Sequence, residues 1–286
     1  MADPLLVVDT PSMLYRAFFA LPKTIKGTDG RPVNALLGTA NLVLREVAEY
    51  GPRAVVLCFG AEAAHYRVEL YSGYHADRPE MPDLLETQWA ASHDFFSSFG
   101  WQIAGHETLE ADDLLGSLAE AETAAGGTTL IMTGDRDMFQ CANDSVTILY
   151  PAKGVQGMER IGPAEVRKRY GIEPEQVPDF IALRGDPSDG IPGARGIGEK
   201  TAAELLRRYG DLDGVLDHAI EQSTPRIRGV LRDDRDALLS YREMARLQDA
   251  GVTRPPDSPT DWAAAAAAAE RFGMNRLAER LREAAD

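Results

Sequence analysis

The sequence predicts an α/β protein, a mostly parallel sheet flanked by helices, followed by an all-helical region. Two observations carry this. Five short runs of almost unbroken apolar residues recur through the first half of the chain, and the segments between them repeat apolar residues at spacings of three and four. After about Gly171 the strand-like runs stop and helical patterns punctuated by Gly and Pro take over.

The first run, Leu5 to Val8 in "LLVVDT", ends on Asp9 and is followed by the helical "NALLGTANLVLREVAEYG". The second, Ala54 to Phe59, ends at Gly60 without an acid. The third, Trp101 to Ala104, precedes "LEADDLLG", which opens a helix with Glu110, Asp112 and Asp113 in its first turn. The fourth, Thr129 to Thr133, leads into "TGDRD" with Asp135 and Asp137, and the fifth is Val146 to Tyr150. Runs that are continuous rather than alternating belong to strands covered on both faces, which is the habit of parallel sheets. Beyond Gly171, "PEQVPDFIALRGD", "GEKTAAELLRRYG" and "ALLSYREMARLQD" read as helices. The tail "TDWAAAAAAAERFGMNRLAERLREAAD" opens with an N-cap at Thr260 or Asp261, and its alanines favour helix without offering chemistry.

A chain of 286 residues with 44% hydrophobic content can bury a substantial core. It has no long apolar run and no basic-then-apolar leader, so the expected location is cytoplasmic, with no membrane partner. Cys58 and Cys141 have neither CxxC spacing nor a nearby His pair, which argues against zinc and disulfide alike. A formal charge of −15 argues at first against nucleic acid, since phosphate binding is normally driven by Lys and Arg.

That argument assumes that the acids are spread over the surface. In a parallel sheet, ligands bind beyond the carboxyl ends of the strands, so Asp9, the trio Glu110, Asp112 and Asp113, and the pair Asp135 and Asp137 are expected to converge. A further pair, Asp186 and Asp189, lies in the turn-rich "LRGDPSDGIPG". Neighbouring carboxylates cannot all stay ionised without a countercharge, and an oxygen-only set selects hard cations, Mg²⁺ or Mn²⁺. Two such ions side by side suit phosphodiester cleavage. An aspartyl-nucleophile phosphatase would need a second acid after Asp9, and a Toprim-type nuclease would need a Glu there; "VVDTPS" has neither.

"IPGARGIGEKTAAELLRRYG" places Gly193, Gly196 and Gly198 ahead of a helix at Lys200 and Thr201, with Arg207 and Arg208 further along. Glycines permit close backbone approach and a helix N-terminus directs N–H groups at an anion. Taken in order, "VVDTPSMLYRAFFALP", "FGAEAAHYRVELYSGYHADRPEMP", "LEADDLLG", "TGDRDMFQ", "ALRGDPSDGIPGARGIGEKTAAELL" and "FGMNRLAERL" strongly resemble the 5′-nuclease family, which includes flap endonucleases and the 5′ to 3′ exonuclease domain of bacterial DNA polymerase I.

The resemblance implies a PIN-like nuclease core over residues 1–171 with a helical arch at about 61–92. It implies a helical region over 172–286, containing a helix-hairpin-helix type module at about 178–210 that binds duplex DNA around K⁺. By the same carry-over Asp9, Asp112 and Asp135 hold a first metal with Glu110 and Asp113 near it, and Asp137, Asp186 and Asp189 hold the second. Arg16 and Arg78 meet the scissile phosphate, and Arg67 and Tyr74 in the arch contact DNA. The implied substrate is DNA with a 5′ flap, nick or free 5′ end, cut by a monomeric, bacterial-type, nucleoid-associated enzyme that works with replication and repair proteins. Two positions depart from the family pattern. Gly60 stands where an aspartate is usual, so the first metal is expected to bind weakly and Gly60→Asp to tighten it. His75 replaces a lysine and is expected to assist the phosphate only when protonated. The alternative raised by these two positions is a DNA-structure-binding protein with weakened catalysis.

Overall fold

The computed structural model describes residues 3–151, 157–222 and 224–285. In chain order the elements are β1 (Leu5–Asp9), α1 (Thr10–Ala20), α2 (Asn34–Tyr50), β2 (Ala54–Phe59), α3 (His65–Leu70), α4 (Asp83–Ser97), β3 (Gln102–Gly105), α5 (Ala111–Ala124), β4 (Thr129–Met132), β5 (Val146–Pro151) and β6 (Met158–Ile161). There follow α6 (Pro163–Tyr170), α7 (Val177–Arg184), α8 (Glu199–Tyr209), α9 (Leu212–Asp217), α10 (Pro225–Asp233), α11 (Arg235–Ala245), α12 (Trp262–Arg271) and α13 (Asn275–Glu283).

The described strands make one sheet in the order β3-β2-β1-β4-β5-β6, parallel except for β6. β1 lies between β2 and β4, with Leu5 opposite Ala54 on one side and Thr129 on the other. The chain crosses from one half of the sheet to the other at β1, so the crevice beyond the carboxyl ends of β1 and β4 is where a ligand site belongs.

The pleat of β1 sorts the core into two layers. Leu5 and Val7 lie on the α5 face, in the same buried layer as Leu114 and Leu118 of α5 and, further out, Phe180 and Ile181 of α7. Leu6 and Val8 pack on the other face with Leu14 of α1, Val43 of α2 and Phe95 of α4. β1 can therefore be apolar throughout, because both of its faces are covered.

Three features differ from the sequence expectation. The third strand is displaced by one residue, to Gln102–Gly105. β6 went unrecognised because "MERI" is short and mostly polar; it pairs antiparallel with β5 at the sheet edge, where Glu159 and Arg160 face solvent. The region after Gly171 is all helical, yet it does not stay together. α12 and α13 return to the sheet and bury Ala265, Ala266, Ala269, Leu277 and Leu281 in the layer of α2 and α4. The alanine tract is small enough to let α12 settle closely there. Arg53 fastens the return: it donates to Pro255 O and to Asp257 Oδ1, both at 2.8 Å, and pairs with Glu122 of α5. No helix among the described residues is long and apolar enough to cross a membrane.

Candidate active site

Asp9 closes β1 and caps α1, accepting from the Ser12 N–H at 3.0 Å and from the Thr133 hydroxyl at 2.7 Å. Thr133 Oγ1 in turn accepts from the Asp135 N–H at 3.0 Å, and Asp135 Oδ1 accepts from the Asp137 N–H at 2.8 Å. This chain of hydrogen bonds across the ends of β1 and β4 fixes three carboxylates relative to one another. The N-terminus of α5 adds Asp112, and the loop after α7 adds Asp186 and Asp189. All six, with Glu110, line one cavity of about 1030 Å³.

The electrostatics of this wall are unfavourable to ionisation. Burial, then the nearby carboxylates of Asp189, Asp9 and Asp186, push Asp135 up to about 7. Burial and the charge of Asp135 hold Asp112 and Asp137 well above the usual carboxylate range, and burial raises Asp9 despite its hydrogen bonds. Cations in the cavity are few. Arg184 pairs with Asp186 at 2.8 Å, Arg136 is bonded to the Tyr150 hydroxyl at 3.2 Å, and Arg78 donates to Glu62 O at 3.1 Å. Arg184 and Arg136 escaped the sequence reading, although "LRGD" places Arg184 two residues before Asp186. Arg16 is exposed on α1, one residue beyond the Tyr15 that lines the cavity.

Two acids of the expected metal set are engaged elsewhere. Asp113 is fully buried and outside the cavity: it accepts from the Glu110 N–H at 3.1 Å and the Gln248 N–H at 2.8 Å, and pairs with Arg67 at 3.4 Å. Glu110 lines the cavity, but its oxygens accept from the Ala64 N–H at 2.7 Å and the Tyr74 hydroxyl at 3.1 Å and face Arg67 at 3.0 Å. Arg67 and Tyr74, expected on DNA, are only 4% and 5% exposed. Arg67 also donates to Met244 O at 2.9 Å, joining α3, the start of α5 and the end of α11. A guanidinium so enclosed has no face to offer a phosphate; its work is to hold Glu110 and Asp113.

Gly60 is also corrected. A Cβ built on it would stand 2.4 Å from Ala111 N and from the carbonyl carbon of Glu110. The start of α5 occupies the space a side chain would need, so an aspartate cannot be placed here without displacing Asp112 and its helix. Gly60 is what allows α5 to approach the end of β2.

His75, expected to assist the phosphate when protonated, has both ring nitrogens engaged within the protein. Nδ1 faces Glu62 O at 3.1 Å, Nε2 faces Asp189 Oδ1 at 3.2 Å, and the ring stacks on Tyr74 with centroids 4.0 Å apart. Its φ of 53°, uncommon outside glycine, turns the segment between α3 and α4 onto the loop that carries Asp189, whose carbonyl accepts from the His75 N–H at 3.3 Å.

In the hairpin between α7 and α8, the three glycines have separate roles. Gly193, at φ +68°, is packed so that a Cβ would meet Gly185 N at 2.3 Å, which is a fold requirement rather than an approach to ligand. Gly196 and Gly198 are exposed, and Gly198 caps α8 with no atom near its missing Cβ. Lys200, Arg207 and Arg208 are exposed on α8, and Thr201 is half-buried.

Among the described residues no three carboxylate, histidine or cysteine groups stand close enough together, as they are placed, to hold a metal ion. The donor chemistry nonetheless fits hard divalent cations: the acids are all-oxygen ligands, they outnumber the cavity's cations, and burial makes their mutual repulsion costly. Such an acid-lined cavity, at the carboxyl edge of a mostly parallel sheet, defines the class: a phosphodiester-cleaving nuclease.

The comparisons narrow the class. Residues 4–171 match the model for "5′-3′ exonuclease, N-terminal resolvase-like domain", and residues 172–262 match "5′-3′ exonuclease, C-terminal SAM fold". The chain belongs to the 5′-3′ exonuclease family. It is 36% identical to a 5′-3′ exonuclease of Streptomyces coelicolor, over 96% of this chain and 98% of that protein. It is 34% identical to DNA polymerase I of Mycobacterium tuberculosis, over 89% of this chain but only 28% of the polymerase. Its fold is that of the bacteriophage T5 flap endonuclease, solved as a pseudo-enzyme-product complex with DNA and metal ions, at a TM-score of 0.72, 15% identity and 98% coverage of both chains.

Proposed function

We propose that the protein hydrolyses phosphodiesters near 5′ ends and 5′ flaps of branched or nicked DNA, using two divalent cations, Mg²⁺ or Mn²⁺. The observation that supports this best is the gathering of Asp9, Asp112, Asp135, Asp137, Asp186 and Asp189 on one cavity from four separate places in the chain. Asp9, Asp112 and Asp135 would hold one cation, and Asp137, Asp186 and Asp189 the other. When bound, the cations activate water and offset the charge that develops on the phosphate.

The chain's own residues do the rest. Thr133 and Ser12 hold Asp9, and the Asp137 N–H holds Asp135, so the strand ends orient these two carboxylates while the others close in around the cations. Glu110 and Asp113 set the start of α5 and thereby place Asp112. Arg78, donating from the arch segment, neutralises the phosphate, and Arg16 meets the strand along α1. The arch of residues 61–92 receives the frayed 5′ end. The hairpin turn at Gly196, Gly198 and Lys200, with Thr201, Arg207 and Arg208 on α8, holds the duplex with K⁺. The enzyme acts as a nucleoid-associated cytoplasmic monomer alongside replication and repair proteins, with residues 1–171 as its nuclease unit and 172–286 as its helical region.

The test is cleavage of end-labelled 5′-flap, nicked and blunt DNA with mapped products, in Mg²⁺ and in Mn²⁺. Release of products from the 5′ end that depends on either metal supports the reading. Undiminished cleavage by Asp137→Asn or Asp186→Asn sinks it.

A further inference from the structure

Most arginines of this acidic chain are neutralised at close range. Arg53 and Arg254 share Glu122, Arg67 sits between Glu110 and Asp113, and Arg242 pairs with Asp213. Around the hairpin between α7 and α8 the pattern reverses. Arg195, Lys200 and Arg226 are exposed, and none of them forms an ion pair among the described residues.

Arg226 is the unexpected member. It belongs to the first turn of α10, outside the hairpin, and only the fold brings it near. Its guanidinium lies against Gly196: a Cβ built there would stand 3.0 Å from Nε and 3.4 Å from Nη2. At φ +94°, Gly196 holds a backbone conformation that other residues rarely adopt, and it leaves room for the flat guanidinium to rest on the turn. Arg226 is thus positioned by packing rather than by a carboxylate, and its charge is unspent. Immediately beside it, the side of Gly198 is open and α8 begins without a side-chain cap.

We propose that Arg226 is a duplex-binding residue, contributed by α10 to the hairpin surface, that takes a backbone phosphate of DNA. This rests on the DNA-cleaving reading above and extends its binding surface beyond the hairpin. A guanidinium suits the task because its planar fork matches two phosphate oxygens, whereas an ammonium contributes a point charge. Arg195 and Lys200, on either side of the turn, add to the same positive surface and bring it closer to neutralising several phosphates along one groove edge.

The experiment is the salt dependence of binding to a fluorescently labelled duplex with a 5′ flap, in EDTA. For each phosphate that is no longer neutralised, the slope of log K against log salt is expected to fall in magnitude by about 0.9. Arg226→Ala is expected to weaken binding several-fold and reduce the slope by that amount, and Arg226→Lys to recover the slope but only part of the affinity. Arg276→Ala, which removes an exposed cation from α13 on the core, is expected to leave the slope unchanged. Among the described residues Arg226 makes no ion pair whose loss would unfold the chain, and matched melting curves check this. If the wild-type protein binds flap DNA in EDTA and cuts it once Mg²⁺ or Mn²⁺ is supplied, while Arg226→Ala keeps the full slope, the proposal for Arg226 is overturned alone. If the wild type neither binds in EDTA nor cuts with either metal, the DNA-cleaving reading is overturned with it.

Discussion

The two ends of α5 place carboxylates in opposite circumstances. At its C-terminal end Glu122 is buried, and burial alone would raise its carboxyl; hydrogen bonds from Arg53 and Arg254 outweigh this and hold it below the usual range. At its N-terminal end Asp112 makes no ion pair among the described residues, faces Asp135 and Asp9, and is held well above that range by burial and by their charge, which outweigh the more distant charge of Arg67. Glu110 and Asp113, its immediate neighbours, belong with Glu122, because Arg67 serves both. One helix therefore carries acids that build the fold and an acid that the fold leaves unsatisfied. Asp113 and Glu122 are buried and Glu110 and Asp112 half-buried; what sets Asp112 apart is that, among the described residues, no cation pairs with it.

The largest expected effect comes from the unpaired acids that share Asp112's cavity. Asp137→Asn is expected to lower cleavage of flap DNA by about 10²-fold or more, consistent with several kcal/mol of lost charge stabilisation, while the fold is retained by circular dichroism. Next is the arginine that satisfies the others. Arg67→Ala leaves Glu110 and Asp113 buried without their partner and is expected to cost about 3–5 kcal/mol in denaturant unfolding.

Gly60→Asp sharpens the comparison, since it would add one more acid beside Asp112. The backbone of Glu110 and Ala111 fills that space, so the variant is expected to lose about 1–3 kcal/mol of stability through overpacking and to bind Mn²⁺ no more tightly than the wild type. Isothermal titration with an unchanged melting point and a tighter site would show instead that α5 yields readily.

The smallest effect is a pH slope. Glu122 has its carboxyl below its unfolded value, so its contribution is complete above the unfolded carboxylate pKa and fades as pH falls through the folded one. The wild type is therefore expected to lose stability on acidification more steeply than Glu122→Gln, as followed by melting temperature against pH.

Much of this was legible in the sequence, and the limits were physical. β1, β2, β4 and β5 declared themselves because each is buried on both faces, whereas β6 at the edge offers only its ends to the core. The convergence of the strand-end acids followed from parallel topology alone. What could not be read was partnership. "HYRVELYSGY" contains an arginine and a tyrosine suited to DNA, and nothing in it says that Met244, Glu110 and Asp113 enclose Arg67. The expectation that Gly60→Asp tightens the first metal fails for the same reason: a missing side chain in sequence does not reveal that the backbone of Glu110 and Ala111 fills its place. The return of α12 and α13 was likewise hidden, since an apolar helix face does not name the surface it will cover.

The comparison itself is tested most directly by melting Asp112→Asn and Glu122→Gln in EDTA, above neutral pH, against the wild type. Removing an acid that the fold leaves unpaired is expected to raise the melting temperature, and removing one that the fold has paired is expected to lower it. If both substitutions lower it, Asp112 is held by the chain as Glu122 is, and the division of α5 into a satisfied end and an unsatisfied end is wrong.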